Sequence, residues 1–220
     1  MSLYAYYSHA GTGVEGRSFV EQMQPSNAAL VLASASPRRL ELLSFFGIPF
    51  EVIPSAAEES AEGNGQEMVM AIAKAKCDDV FAGAKGSFVL SADTLVCVDG
   101  AALGKPKDEA EAISMLKRLS GCWHEVHTGV CLRGKDGFFS LQTETTRVAF
   151  AKLTDEMICR YVKTGEPMDK AGAYAIQGIS GMFITRIDGS PSNVMGLPLE
   201  KVRTMLEKAG FSILPALKDF

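Results

Sequence analysis

The strongest constraint on the fold is an alternation of short apolar runs with helix-forming segments that carry their own start and stop signals. Leu30 to Ala33 is such a run and reads as a buried strand leading into Ser34-Ala35-Ser36-Pro37-Arg38-Arg39. Ser36 followed by Pro37 starts a helix, because serine can cap free amides and proline loses nothing at the first helical position. Leu40, Leu43 and Phe46 mark one face of that helix and Gly47 ends it. Phe50 to Ile53 reads as a strand, Glu62 to Gln66 as a surface loop, and Glu67 to Phe81 as a helix. Phe88 to Val98 is a second buried strand, closed by the Asp99-Gly100 turn signal.

Asp108 with Glu111 has the form of a capping box opening a helix that runs through Leu119 to Gly121. Trp123 to Leu132 and Phe138 to Phe150 read as two strands of a hairpin turning at Gly134 to Gly137. Thr154 caps a helix to Val162, and Pro198 to Ala209 is the last clear helix, stopped by Gly210. The alternation, with one hairpin and no internal repeat, predicts an α/β fold: a mixed, twisted β-sheet flanked by helices.

The chain has 220 residues, 47% of them hydrophobic and 22% charged, which suffices for a full core. No Pro/Ser-rich linker divides it, so one domain over residues 28–215 is expected, with residues 1–27 as an extension whose role is not readable. The start lacks the basic and apolar regions of a secretory signal, and no apolar run approaches the roughly 20 residues that span a bilayer. A cytoplasmic protein that does not bind membranes is expected. A net charge of -4 argues against a duplex nucleic-acid binder but leaves room for a local cationic site. Cys77, Cys97, Cys122, Cys131 and Cys159 form no CxxC pair or zinc spacing, and read as free thiols in a reducing compartment.

Four constellations carry chemistry. At Ser34 to Arg39 a helix N-terminus and two guanidinium groups can grip a phosphate, or can equally be a capped helix with two solvated arginines. It is not a Walker loop. Asp93 interrupts the apolar run Val89 to Val96; a carboxylate there needs a partner, and metal binding, general-base work or a structural contact each supplies one. Lys105, in the turn Gly104-Lys105-Pro106-Lys107, is either a phosphate ligand or a solvated charge. The segment Asp169 to Gly178 combines small residues with Asp169, Lys170 and Gln177, and the Gln177 amide can read a base edge; a plain glycine-rich loop is the alternative. His124 and His127, three apart in a strand, face opposite ways and read as packing residues. Glu58 and Glu59 are candidates for a second metal-binding carboxylate or a solvated acidic loop.

The order of these motifs resembles the Maf family. The resemblance rests on Ser34 to Arg39 with Glu41-Leu42-Leu43, Ser91-Ala92-Asp93-Thr94, Gly104-Lys105-Pro106, Leu119-Ser120-Gly121, and His124 with Val126 and Thr128. Asp169 to Tyr174 and Gly196-Leu197-Pro198-Leu199 complete it, so that it runs from about Leu30 to Leu206. It implies two lobes with a central cleft, commonly in a homodimer, and hydrolysis of a nucleoside triphosphate to the monophosphate and pyrophosphate. It implies that Arg38, Arg39, Lys76 and Lys105 face the triphosphate, that Ser34, Asp169 and Lys170 also bind substrate, and that Asp93 is the general base, with Glu59 its partner for water and a divalent cation, Mg²⁺ or Mn²⁺. The stretch Tyr174 to Gly178 is similar to the branch acting on dTTP and UTP, with Arg38, Thr94 and Gln177 at the positions tied to that choice. The alternatives are a 7-methyl-GTP or non-standard purine triphosphate pyrophosphatase, and a nucleotide-binding regulator of cell division without turnover. The chain departs from the family pattern in its N-terminal extension, in the loop 59–66, and at Cys77, where alanine is usual.

Overall fold

The computed structural model describes residues 29–84, 86–134 and 137–213; the extension read at residues 1–27 lies outside the described residues. The first unit is β1 (Leu30–Leu32), α1 (Pro37–Ser44) and β2 (Phe50–Val52), with β2 parallel to β1. Helix α2 (Gly65–Phe81) then returns the chain to β3 (Phe88–Val98), which lies parallel to β1 on its other side. The chain therefore leaves β1 in one direction and comes back in the other, which makes the carboxyl end of β1 a switch point of the sheet, where such folds open a crevice.

The remaining strands are antiparallel: β4 (Ala101–Leu103), β5 (Trp123–Arg133), β6 (Phe139–Phe150) and β7 (Ile184–Asp188). Among the described residues the sheet order is β2-β1-β3-β5-β6-β7, with β4 paired to β3. Around it lie α3 (Glu109–Leu119), α4 (Asp155–Val162), the short α5 (Pro191–Val194) and α6 (Leu199–Lys208).

Two lobes arise because the long strands carry different cores along their length. At one end Leu30, Leu90 and Leu132 pack with Leu43 of α1 and Val202, Met205 and Leu206 of α6. On the opposite face Val31, Val89 and Cys131 pack against Ala73, Cys77 and Val80 of α2. At the far end Val96, Val126, Val148 and Phe150 pack with Leu116 and Leu119 of α3 and Ile158 and Tyr161 of α4. The cleft falls between these lobes. Strand β1 covers only Phe88–Leu90 of β3 and β4 covers only Val96–Val98, so among the described residues the stretch between has no strand on that edge.

The elements follow the sequence signals closely, with informative differences. Strand β3 has the bounds read from its apolar run, and the Asp108 and Thr154 side chains accept hydrogen bonds from the Glu111 and Met157 amides as caps should. Helix α2 begins two residues earlier than its composition suggests: Asn64 accepts from the Gln66 and Glu67 amides while the Glu67 carboxylate accepts from the Asn64 amide, a complete capping box inside the stretch read as loop. Ser36 occupies the cap position of α1 without making a side-chain cap, and its own amide donates to Ser34 Oγ.

Candidate active site

Asp93 is placed by two local contacts. Ser91, two residues back on the same face of β3, donates its hydroxyl to the Ala73 carbonyl of α2 at 2.6 Å. Opposite Asp93 on β5 stands Gly129, where a Cβ would come within 2.3 Å of the Val69 carbonyl oxygen, so α2 lies against the sheet at a distance only glycine permits. Seven residues further along α2, Lys76 then reaches Asp93: Nζ donates to Oδ1 at 2.8 Å. The same ammonium pairs with Glu59 Oε1 at 2.7 Å, and Lys105 Nζ approaches Glu59 Oε2 at 3.8 Å. Lys76 and Asp93 are each only 7% exposed, whereas the Glu59 side chain is half-exposed. The hydrogen bond from Lys76 holds the Glu59 carboxyl below its ordinary pKa, against the opposing pull of burial.

The strand-to-helix junction faces this cluster. Because Ser36 does not cap α1, the first-turn amides of Arg38 and Arg39 have no side-chain partner from the cap position. Arg39 is largely committed: Nε donates to the Gly196 carbonyl at 2.8 Å, one terminal nitrogen to Thr94 Oγ1 at 3.0 Å and the other to Ser34 Oγ at 3.3 Å. Burial pushes its guanidinium below the ordinary value, and the nearby Asp93 charge opposes that shift. Thr94 Oγ1 also lies 3.0 Å from Thr128 Oγ1, and because the Thr128 hydroxyl donates to the Asn193 carbonyl, Thr94 is the donor of that pair. Arg38 extends toward Asp169, 3.6 Å away. Lys170 donates to the Glu166 carbonyl at 2.6 Å and to its neighbour Asp169. Burial disfavours the Asp169 anion, but Lys170 and Arg38 outweigh this and lower its pKa.

The residues that the resemblance assigns to the site line one cleft of about 570 Å³: Ser34, Arg38 and Arg39 on one wall, Glu59, Lys76, Asp93 and Thr94 at its floor, Lys105, Asp169, Lys170 and Gln177 around the rim. Five cations face three carboxylates there, on a chain whose net charge is -4. Glu58 does not line the cleft. The histidines lie off it on opposite faces as read: His124 Nε2 meets Tyr174 Oη at 2.8 Å and His127 Nδ1 meets Thr145 Oγ1 at 2.9 Å. Sequence reasoning missed Glu166, Asn193 and the Gly196 carbonyl as parts of the cleft's framework; only the Gly196-Leu197-Pro198 motif signalled the last. Among the described residues no group of three or more His, Cys, Asp or Glu side chains is arranged to hold a metal.

A cationic crevice at a sheet's switch point, floored by a carboxylate pair around one ammonium, defines an α/β protein suited to holding a polyanion beside a group that can take a proton. The fold is that of the solved Staphylococcus aureus Ham1 protein, which this chain matches with a TM-score of 0.50 at 15% identity, covering 82% of this chain and 98% of that one. The Maf-like protein family model matches residues 29–209, and the chain belongs to that family. It is similar to a protein of Caldicellulosiruptor bescii named dTTP/UTP pyrophosphatase, 47% identical over 84% of this chain and 96% of the relative. A Thermococcus gammatolerans protein of the same name is 49% identical over 84% of this chain and 98% of its own length.

Proposed function

We propose that the protein is a nucleoside triphosphate pyrophosphatase that cleaves dTTP and UTP to the monophosphate and pyrophosphate. The observation that carries this reading is the Asp93–Lys76–Glu59 cluster at the floor of a cationic cleft, in a chain whose relatives bear that name. Lys76 engages Asp93 Oδ1, and Oδ2 accepts no hydrogen bond from the described residues, which suits it to accept a proton from an attacking water. Arg38, Lys105, the α1 amides and Ser34 bind and orient the triphosphate so that its α-phosphorus lies in line between that water and the departing pyrophosphate. Lys105 on the rim and Arg38 on the wall stabilise charge on the leaving group, while Arg39 holds α1 to the Gly196 loop. Thr94 and Gln177 border the base.

The donor set fits a divalent cation. Glu59 and Asp93 present hard carboxylate oxygens that already share one compact cation, the Lys76 ammonium, and Mg²⁺ or Mn²⁺ bound by one or two carboxylates completes its shell with water and phosphate oxygens. Such an ion would lower the pKa of water and offset phosphate charge. Turnover is expected to vanish with chelator and return with either metal.

The buried free thiols Cys77, Cys97 and Cys131 support a reducing compartment, the cytoplasm, as the site of action. Among the described residues no helix is long and apolar enough to cross a membrane. A homodimer and the absence of duplex binding belong to the same reading. The test is pyrophosphate release across dTTP, UTP, 7-methyl-GTP and purine triphosphates, with and without metal. Preference for the two pyrimidines supports the reading, and equal or greater turnover of 7-methyl-GTP overturns it.

A further inference from the structure

We infer that Glu166 is a positioning residue for base selection: its carboxylate locks the turn that carries Gln177. The inference rests on the proposed pyrimidine reading and deepens it. Gln177 sits third in a turn closed by the hydrogen bond from the Gly178 amide to the Ala175 carbonyl at 3.1 Å, and its side chain makes no hydrogen bond to the described residues, leaving the amide to a ligand in the cleft. A glutamine that reads a base edge discriminates only if its own backbone is held, since a mobile turn lets the amide adapt to the wrong base.

Glu166 supplies that hold. Oε2 accepts the Ile179 amide at 2.8 Å, and Oε1 accepts the Ser180 amide at 3.3 Å and the Tyr161 hydroxyl at 3.0 Å. The Ser180 hydroxyl lies within reach of Oε1 at 3.2 Å and the Ala175 carbonyl at 2.9 Å, and accepts from the Ala175 amide at 2.8 Å. Ser180 is fully buried, so both ends of the turn converge on one carboxylate through one hydroxyl. Gly178 belongs to the same device, because a Cβ there would meet Glu166 Oε1 at 2.3 Å. Tyr161, in the apolar core between α3, α4 and the sheet, anchors the carboxylate from behind. The backbone carbonyl of Glu166 separately holds Lys170, so a change of the side chain loosens the base side of the cleft and leaves the phosphate side in place.

The experiment compares UTP with ribose 5-triphosphate, which has no base, in the wild type, Glu166→Gln, Gln177→Ala and the double variant. Glu166→Gln keeps the shape but sets an amide N–H₂ against backbone donors. The expected result is a roughly tenfold fall in kcat/KM for UTP, carried by KM, with kcat within about twofold and ribose 5-triphosphate unchanged. Gln177→Ala should give the same loss and the double variant no more, because the two act as one unit. Tyr161→Phe, which removes one donor and leaves the backbone clamp, should shift KM for UTP in the same direction by about twofold. A parallel fall for both substrates, an unchanged UTP constant, or additive losses in the double variant would overturn the clamp. Failure of the wild type to release pyrophosphate from UTP would instead overturn the proposed function, and this inference with it.

Discussion

Replacing Lys76 with methionine keeps the length and apolar stem of the side chain and removes the charge that two carboxylates share. The Asp93 half of the cluster is enclosed, with side-chain exposures of 9% for Lys76 and 10% for Asp93. Breaking a buried pair from one side strands the other charge and costs about 3–5 kcal/mol. The Glu59 half involves a carboxylate side chain 54% exposed, which solvent screens to within about 1 kcal/mol. The expected loss is therefore dominated by Asp93. For a domain of this size each kcal/mol moves Tm by roughly 2–4 °C, so Lys76→Met should melt roughly 6–20 °C lower. The double variant Lys76→Met with Asp93→Leu removes both charges, and should recover most of that stability while remaining inactive. Urea and thermal melts followed by circular dichroism provide the comparison. A Lys76→Met protein within about 1 kcal/mol of wild type, or a double variant no more stable than the single one, would refute the claim that the cluster is a buried, mutually dependent unit.

Asp93→Asn should lower kcat by about 10²-fold or more while leaving KM close to wild type, as steady-state pyrophosphate release will show. Gly129→Ala drives a methyl into the Val69 carbonyl and should destabilise the protein by more than about 2 kcal/mol in a urea melt, with no compensating gain at the strand. Burial pushes the His124 imidazole down to about 4 from its ordinary 6.5, so between those values the unfolded chain binds a proton that the folded one refuses. That contribution to stability is complete above pH 6.5 and falls with pH, reaching a loss of about 2 kcal/mol at pH 5. The fall in unfolding free energy between pH 7.5 and 5 should be about 2 kcal/mol smaller in His124→Phe than in wild type, the remainder belonging to groups such as His127, which burial also lowers.

Much of the fold was legible because its signals are local. The apolar run of β3, the caps at Asp108 and Thr154, and the glycine after α6 each act within a few residues of where they are read. The start of α2 was legible in principle, since Asn64 and Glu67 have capping-box spacing, but the flanking Gly63 and Gly65 read as a loop. Strand β7 ends at an Asp188-Gly189 turn signal, but its Ile184–Asp188 span is short and has no apolar run to mark it, and β4 is only Ala101–Leu103. At the site, residue types were readable singly and their meeting was not. Lys76 finds Asp93 through helix packing at Gly129, and Arg39 finds Gly196 across 157 residues of chain, so only resemblance joined Lys76 to the cluster beforehand. Glu166 carried no signal at all, because it acts through backbone amides in a turn whose shape depends on the rest of the fold.

The central claim is that water activated beside Asp93 attacks the α-phosphorus. Hydrolysis of UTP in ¹⁸O-labelled water tests it most directly, with the products resolved by mass spectrometry. One ¹⁸O atom in UMP and none in pyrophosphate is the expected result; label in pyrophosphate, or release of labelled orthophosphate as the first product, would contradict attack at the α-phosphorus.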